Sequence, residues 1–243
     1  MVQVNGLHKS FQKDMPVLRD ISFSVPDAGS LAVVGPSGCG KTTLLYLLAG
    51  LLAPSSGSVT INDREVGRPG KTGFILQDFG LLPWRTVWEN VCLGMKIARL
   101  DRSTQARRAE HLLDELGLLA HRDRFPQSLS GGEKQRIAIG RALATEPDLL
   151  LMDEPFSSLD ALTRENLQNF LLRIWKRRGL TMILVTHSIE EAVFLGQVIL
   201  VLGRRPGSVR RMIDNERAGN AGYREEGSFY ETCKEVRGCL EVS

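Results

Sequence analysis

The sequence predicts an α/β fold in which helices cover a mainly parallel sheet. Three apolar runs without polar alternation, residues 149–152, 181–186 and 198–202, are typical of strands buried on both faces. Between the first two runs, apolar residues recur at helical spacing over residues 167–175, and three cations and Gly179 follow them. This alternation of strand, helix and strand favours a parallel sheet with helical crossovers.

A β-rich stretch and a helical stretch flank these elements. Residues 17–25 and 57–61 have the composition of strands closed by turn residues, so they predict a β-rich flank. From residue 83 to residue 144 the apolar spacing becomes helical. The polar tail of the chain ends in a predicted helix, with Phe229, Cys233, Val236 and Leu240 on one face and Ser228 and Glu231 as its capping box. Ser188 and Glu191 have the same spacing and predict a capping box for the helix that follows residue 187.

Composition and charge narrow the possible functions. The 243 residues suffice for one large α/β domain, and a net charge of +3 makes no case for a nucleic acid as the main partner. The four cysteines lack metal-site spacing, so we expect free thiols in a reducing compartment. The sequence has no apparent signal region and no apolar run close to the ~18 residues that span a bilayer. We therefore expect any function at a membrane to depend on a partner protein.

A glycine-rich stretch with the spacing G-x-x-x-x-G-K-[ST] connects the apolar strand 30–34 to the helical pattern 43–51. Glycine lets backbone amides approach a polyphosphate closely, Lys41 supplies a charge for the β- and γ-phosphates, and the Thr42 hydroxyl is a ligand for Mg²⁺. The strand before and the helix after disfavour the alternative of a chance glycine-rich turn. The predicted ATP-binding residues are Gly35, Pro36, Ser37, Gly38, Cys39, Gly40, Lys41, Thr42 and Thr43.

Two acidic residues end the apolar run at 149–152. Asp153 is expected at the C-terminal edge of the sheet, beside the phosphate loop, where it would hold Mg²⁺ through water. Glu154 follows on the other side of the strand end and is predicted to be the general base that polarises the attacking water. The alternative, two solvated carboxylates before Pro155, is disfavoured by the buried strand that precedes them.

The segment LSGGE at residues 129–133 predicts a helix start, with Ser130 and Glu133 as a capping box. Two glycines inside a helix start lower its stability. Gly131 and Gly132 are explained if the backbone amides must approach a second anion.

LSGGE followed by KQR resembles the signature sequence of ATP-binding cassette proteins, the energising subunits of ABC transporters. The resemblance implies a P-loop NTPase (RecA-like) core with an antiparallel β flank and an inserted helical subdomain. In this family two cassettes pack head to tail, and ATP lies between the phosphate loop of one and the LSGGE of the other. It therefore implies a homodimer or a paired ATPase subunit. The ATP contacts implied on the second side are Ser130, Gly131, Gly132 and Glu133.

The same resemblance implies roles for four further residues. Gln77 falls where the family has its Q-loop, which implies contact with Mg²⁺ and the attacking water, and His187 matches the histidine that touches the γ-phosphate. Asp160 lies in a segment that resembles the D-loop at the dimer interface. Phe11 resembles the aromatic residue that stacks on adenine, and a phenylalanine in a strand core is an equal alternative.

The resemblance also implies boundaries within a single cassette domain, residues 1–243. The core and its β flank comprise residues 1–82 and 146–203, the helical subdomain comprises residues 83–145, and the tail comprises residues 204–243.

Trp84 and Trp88 are expected to meet a membrane subunit, because aromatic residues near a loop suit an interface. The alternative is that both rings pack inside the helical subdomain. The surrounding segment LLPWRTVWENV and the tripeptide at 205–207 resemble importers of the nitrate, sulfonate and taurine type. This implies a peripheral ATPase on the cytoplasmic face of the inner membrane, with integral permease subunits and, indirectly, a solute-binding protein as partners.

Two other functions stay open at this stage. A soluble ABC ATPase acting on ribosomes, DNA or Fe–S assembly would be indicated by tandem cassettes or a coiled-coil insertion, and the sequence has neither. A nucleotide-binding scaffold without activity is disfavoured, because Lys41, Asp153, Glu154 and His187 are all present.

Overall fold

The computed structural model of the chain describes residues 1–12, 15–66 and 72–241. Within these residues, an antiparallel sheet of four strands has the order β2-β1-β4-β5. It forms the predicted β flank beside the glycine-rich loop. Its strands are β1 (Val2–Gln12), β2 (Met15–Val25), β4 (Ser56–Ile61) and β5 (Arg64–Glu65).

A second sheet of six strands has the order β10-β9-β3-β8-β7-β6 in the described part of the chain. Four of the five neighbouring pairs are parallel, which confirms the predicted parallel core, and β10 pairs antiparallel with β9. The strands are β3 (Ser30–Val34), β6 (Thr72–Ile75), β7 (Leu149–Asp153), β8 (Thr181–Val185), β9 (Val198–Leu202) and β10 (Val209–Asp214). The sequence interpretation missed β10, because most of its residues are exposed and its burial alternates weakly.

Helices cover this sheet and build the predicted helical insertion. They are α1 (Lys41–Leu48), α2 (Val87–Ile97), α3 (Arg102–Glu115), α4 (Gly131–Leu143), α5 (Ala161–Arg178), α6 (Ile189–Leu195) and α7 (Gly227–Glu241). Thr86 and Asp101 cap α2 and α3 with side-chain oxygens that accept backbone N–H groups. In the part of the chain that the structure describes, no helix is long and apolar enough to cross a membrane.

Two hydrophobic clusters lie on the two faces of the six-stranded sheet. Along β3, Leu31 and Val33 belong to the cluster that contains α1 and the antiparallel sheet, whereas Ala32 and Val34 belong to the cluster on the helical side. Successive strand residues point to opposite faces, so both faces of this strand are buried. This explains why the central strands have no polar alternation in the sequence.

The last helix, α7, buries the predicted face but does not have the predicted N-terminal cap. Phe229, Cys233 and Val236 are buried, as the predicted helical face requires. The predicted capping box of Ser228 and Glu231 is wrong, because α7 begins at Gly227 and Ser228 lies inside its first turn. The Ser228 hydroxyl donates to the Glu226 carboxylate instead.

Candidate functional site

The glycine-rich loop lies between the end of β3 and the start of α1, as predicted. Its backbone needs glycine at residues 38 and 40, where φ is 75° and 106°. The helix begins at Lys41, two residues earlier than the spacing indicated. The Lys41 ammonium donates to the carbonyl oxygens of Gly35 (2.8 Å) and Pro36 (3.0 Å), so it spans the loop from inside.

A cavity of about 530 Å³ opens over this loop. Loop residues 35, 37, 38 and 40–43 form its floor, whereas the predicted contacts Pro36 and Cys39 do not line it. Phe11 and Val17 from the antiparallel sheet form one wall, and Glu154 and His187 reach the cavity from the strand ends. Arg205, which follows β9, completes the lining. The cavity lies at the C-terminal edge of parallel strands, where open α/β sheets bind ligands.

Asp153 is the last residue of β7 and is only 5% exposed. The Thr42 hydroxyl donates to its Oδ1 at 3.3 Å. Burial raises the pKa of the Asp153 carboxyl, and the Thr42 hydrogen bond and the Lys41 charge act in the opposite direction. A hydroxyl and a carboxylate oxygen held this close are a donor pair of the kind that Mg²⁺ prefers, with the remaining ligands supplied by water and phosphate.

Glu154 lies at the centre of a polar cluster beside Asp153. Its φ of 45° turns the chain out of the strand, and its N–H donates to the carbonyl of Val185 at 2.9 Å. Its Oε2 is 3.0 Å from Nδ1 of His187 and 3.5 Å from Nε2 of Gln77. The three side chains come from the ends of three neighbouring strands, and together they can hold a water or a phosphate oxygen at the cavity.

The start of α4 forms the predicted capping box. Ser130 accepts from the N–H of Glu133 at 3.3 Å, and the Glu133 carboxylate accepts from the N–H of Ser130 at 2.8 Å. The Ser130 N–H, and with it the Ser130 hydroxyl, donates to the Glu133 carboxylate and so lowers its pKa. Among the described residues, those of this segment do not line the cavity over the glycine-rich loop.

The two glycines of this segment also have a packing role that the sequence interpretation missed. A Cβ at Gly132 would lie 2.7 Å from Cγ2 of Thr163, and one at Gly131 would lie 3.3 Å from Cδ2 of Leu159. Small residues therefore let the start of α4 approach the start of α5 closely. Asp160 caps α5 by accepting from the N–H of Thr163 at 3.0 Å, so it too lies outside the cavity lining.

The aromatic residues fall into two environments. Phe11 is 59% exposed and lines the cavity, so the alternative of a strand-core phenylalanine is wrong. Trp84 is 70% exposed, and the alternative that it packs inside the helical insertion is also wrong. Trp88 is half-buried against the helical cluster, and the Arg122 guanidinium lies 4.2 Å from its ring centroid.

The Glu191 carboxylate has a different hydrogen-bond partner from the one that its spacing to Ser188 predicts. Ser188 caps α6 by accepting from the N–H of Glu191, as predicted, but the Glu191 carboxylate does not return to Ser188. It accepts from the Thr186 hydroxyl at 2.6 Å instead. Burial raises the pKa of Glu191, with the Thr186 hydrogen bond and Arg164 opposing the shift.

Comparisons with known proteins give one consistent result. Residues 18–157 match a family model described as ABC transporter. A taurine import ATP-binding protein from Rhizobium johnstonii is 46% identical over 205 residues, which cover 84% of this chain and 78% of the relative. Its counterpart from Escherichia coli O157:H7 is 42% identical over 210 residues, which cover 86% and 82%.

Solved structures share the same architecture. A dimeric, post-hydrolysis structure of the ATP-binding cassette MJ0796 bound to ADP and Pi has a TM-score of 0.78 and 29% identity, and covers 90% of this chain and 100% of the solved chain. The cbiO1 subunit of the cbiONQ transporter complex from Clostridium perfringens has a TM-score of 0.79 and 26% identity, with coverages of 89% and 88%.

Proposed function

The chain belongs to the ABC transporter family, and on that premise we propose that its cavity is one half of a composite ATPase site. As a member of this family the chain is an ATP-hydrolysing subunit of a transporter. The proposal concerns the residues that perform this activity, the second chain that completes the site, and the solute. The observation that best supports the proposal is that Glu154 and His187 line the cavity over the glycine-rich loop, with Gln77 next to Glu154.

In the proposed site, ATP lies along the loop with its phosphates on the backbone amides and Lys41. The adenine stacks on Phe11, whose exposed ring faces the cavity. Glu154 accepts a proton from the attacking water at its carboxylate. His187 and Gln77, both within hydrogen-bonding range of Glu154, orient that water and the γ-phosphate.

Thr42 and Asp153 are the residues that would hold Mg²⁺, with Gln77 as a further ligand. The observed donor pair of Thr42 Oγ1 and Asp153 Oδ1 fits this ion, which is commonly bound by one or two protein oxygens together with phosphates. The ion would neutralise charge on the phosphates. The preceding strand buries Asp153 and so fixes its position relative to the loop.

The second half of the site is proposed to come from another copy of the chain or from a paired ATPase subunit. The segment Ser130, Gly131, Gly132 and Glu133 places the N-terminal end of α4 at the surface, away from the cavity of its own chain. Backbone amides at a helix start favour an anion. Packing two chains head to tail would place this helix start and Asp160 against the γ-phosphate held by the partner.

We further propose that residues 1–243 work as one cassette on integral permease subunits at the cytoplasmic face of the cell membrane. The relatives that match over most of this chain are named as taurine import proteins, which supports import of a small sulfonate-like anion. The exposed Trp84 lies at the start of the helical insertion, where an apolar ring would be covered by a permease helix.

The chemical part of this proposal is tested by Glu154→Gln, with Glu190→Gln as the matched control. Glu190 is exposed and lies three residues from His187, but it does not line the cavity. We expect Glu154→Gln to lose steady-state ATP hydrolysis and keep ATP binding, while Glu190→Gln keeps both. Sustained turnover in Glu154→Gln would overturn the assignment of the base.

The transport part is tested by purifying the tagged chain from detergent-solubilised native membranes. Recovery of a polytopic membrane protein at comparable abundance supports the permease, and an accompanying solute-binding protein supports import. Replacing Trp84 with Glu should reduce that recovery, while Glu190→Gln should not. Recovery only from the soluble fraction, with ribosomal or repair proteins, would contradict the permease assignment.

A further inference from the structure

The loop between β9 and β10, residues 203–208, is joined by hydrogen bonds to the strand that runs beside the cavity. The N–H of Gly207 donates to the carbonyl of Val17 at 2.8 Å, and the carbonyl of Gly207 accepts from the N–H of Arg19 at 2.8 Å. Leu18 and Gly207 form an isolated parallel bridge. The loop is therefore fixed to β2, whose Val17 lines the same cavity.

The same loop lies directly against the glycine-rich loop. A Cβ at Gly207 would lie 2.1 Å from the carbonyl oxygen of Cys39, which is closer than any side chain permits. From the other side, a Cβ at Gly35 would lie 3.0 Å from the carbonyl oxygen of Leu202, at the end of β9. Glycine at both positions brings the two loops into backbone contact, so the position of residues 203–208 depends on that of the phosphate-binding amides.

Arg205 projects from this loop into the lining of the cavity. Together with Lys41 it is one of two cationic residues that line the cavity among the described residues. Its side chain is exposed, and within the described residues no carboxylate lies within ion-pair distance of it. The neighbouring Arg204 is also exposed but does not line the cavity.

We propose that Arg205 is a second cationic ligand of the nucleotide, supplied by the same chain, and that it binds the polyphosphate of ATP and ADP. The inference deepens the proposed function and rests on it. A guanidinium presents several N–H donors in a plane and binds phosphate through paired hydrogen bonds, whereas the Lys41 ammonium is a point charge. Lys41 is the other cationic residue of the lining, so Arg205 would add to the positive charge that faces the polyphosphate.

This role concerns nucleotide binding, separate from the chemical step at Glu154. Both ATP and ADP carry the phosphates that Arg205 would contact, so their affinities should change together. An interaction equally strong in the ground state and the transition state alters KM and leaves kcat unchanged. This split between KM and kcat distinguishes a binding role from a disturbance of the Glu154 cluster.

The test uses Arg205→Ala and Arg205→Lys, with Arg204→Ala as the matched control that removes the same charge one residue away. Dissociation constants for ATP, ADP and inorganic tripolyphosphate are measured by calorimetry or competition, alongside steady-state hydrolysis and thermal unfolding. We expect Arg205→Ala to weaken all three ligands by about tenfold, with kcat within about twofold, because charge-assisted hydrogen bonds have roughly this magnitude. Arg205→Lys should fall between, and Arg204→Ala should match the parent chain.

Each outcome decides the proposal. Equal affinities in Arg205→Ala and the parent chain, or equal losses in Arg205→Ala and Arg204→Ala, would overturn it. Weaker ATP binding with unchanged tripolyphosphate binding would assign Arg205 to the adenine ring and overturn the polyphosphate assignment. A parent chain that binds no ATP would instead contradict the proposed function, which makes the two failures distinguishable.

Discussion

Gly207→Ala tests whether the contact between the β9–β10 loop and the glycine-rich loop supports the nucleotide site. The added Cβ would meet the Cys39 carbonyl oxygen at 2.1 Å and Cδ2 of Leu18 at 3.1 Å. Because the closest atom belongs to the backbone, rotation of a side chain cannot relieve the overlap. Residues 203–208 must move by about 1 Å to reach an ordinary van der Waals separation.

The cost of that movement follows from the hydrogen bonds it stretches. The two bonds of Gly207 to Val17 and Arg19 are 2.8 Å long, and an extension of about 1 Å takes them outside hydrogen-bond geometry. Each such bond contributes about 1 kcal/mol, so we expect a loss of about 2 kcal/mol in the free energy of unfolding. In a domain of this size, this lowers Tm by about 4–8 °C.

The matched control is Gly203→Ala in the same loop. A Cβ at Gly203 would have Ser208 Oγ at 3.7 Å and the Ser208 carbonyl oxygen at 3.8 Å, both ordinary contacts, so stability should change by less than about 1 kcal/mol. Thermal unfolding with and without ADP is the assay. Gly207→Ala should lower Tm and reduce the shift that ADP produces, because the cavity wall moves. Indistinguishable curves for the two variants would refute the reasoning.

Three other substitutions test separate elements of the structure. Ser130→Ala should cost about 1 kcal/mol in urea unfolding, because α4 loses its cap. Glu133→Gln can still form the capping box and should change stability by less than about 0.5 kcal/mol. A larger loss in Glu133→Gln than in Ser130→Ala would contradict the observed cap. Burial gives Glu191 a higher pKa in the folded state than its ordinary 4.5, so the folded chain binds this proton more tightly. The stability of the parent chain should therefore fall relative to Glu191→Gln as pH rises from 4.5 through the raised pKa, and a stability difference independent of pH would count against this account. The buried indole of Trp175 donates to a backbone carbonyl at 3.0 Å, so Trp175→Phe should cost about 1–3 kcal/mol in denaturant unfolding, whereas Trp84→Phe, at an exposed position, should cost less than about 0.5 kcal/mol.

Much of the fold was predictable because local patterns carry it. Unbroken apolar runs identified β7, β8 and β9, since both faces of these strands are covered. Since parallel strands present their C-terminal ends at one edge, the residues after them could be expected together. The structure places Asp153, Glu154 and His187 at that edge beside the glycine-rich loop.

What the sequence could not supply were contacts between distant segments. The carboxylate of Glu191 had two possible partners within five residues, and spacing alone favoured the wrong one because a capping box is a frequent local pattern. Gly207 has no positive φ, and its reason for being glycine is the Cys39 backbone more than 150 residues away. The tripeptide 205–207 indicated a group of importers, and it did not indicate that Arg205 lines the cavity.

The most direct test of a site shared between two chains is the molar mass of Glu154→Gln, measured by light scattering with and without ATP. We expect a monomer without nucleotide and a dimer with ATP, because blocked hydrolysis keeps ATP bound between the two chains. Adding Ser130→Glu, which places a carboxylate where the partner's γ-phosphate is expected, should abolish the dimer while ATP binding to each chain persists. A chain that binds ATP and stays monomeric in Glu154→Gln would contradict a site shared between two copies of this chain. A dimer unaffected by Ser130→Glu would contradict the contact between the start of α4 and the partner's ATP.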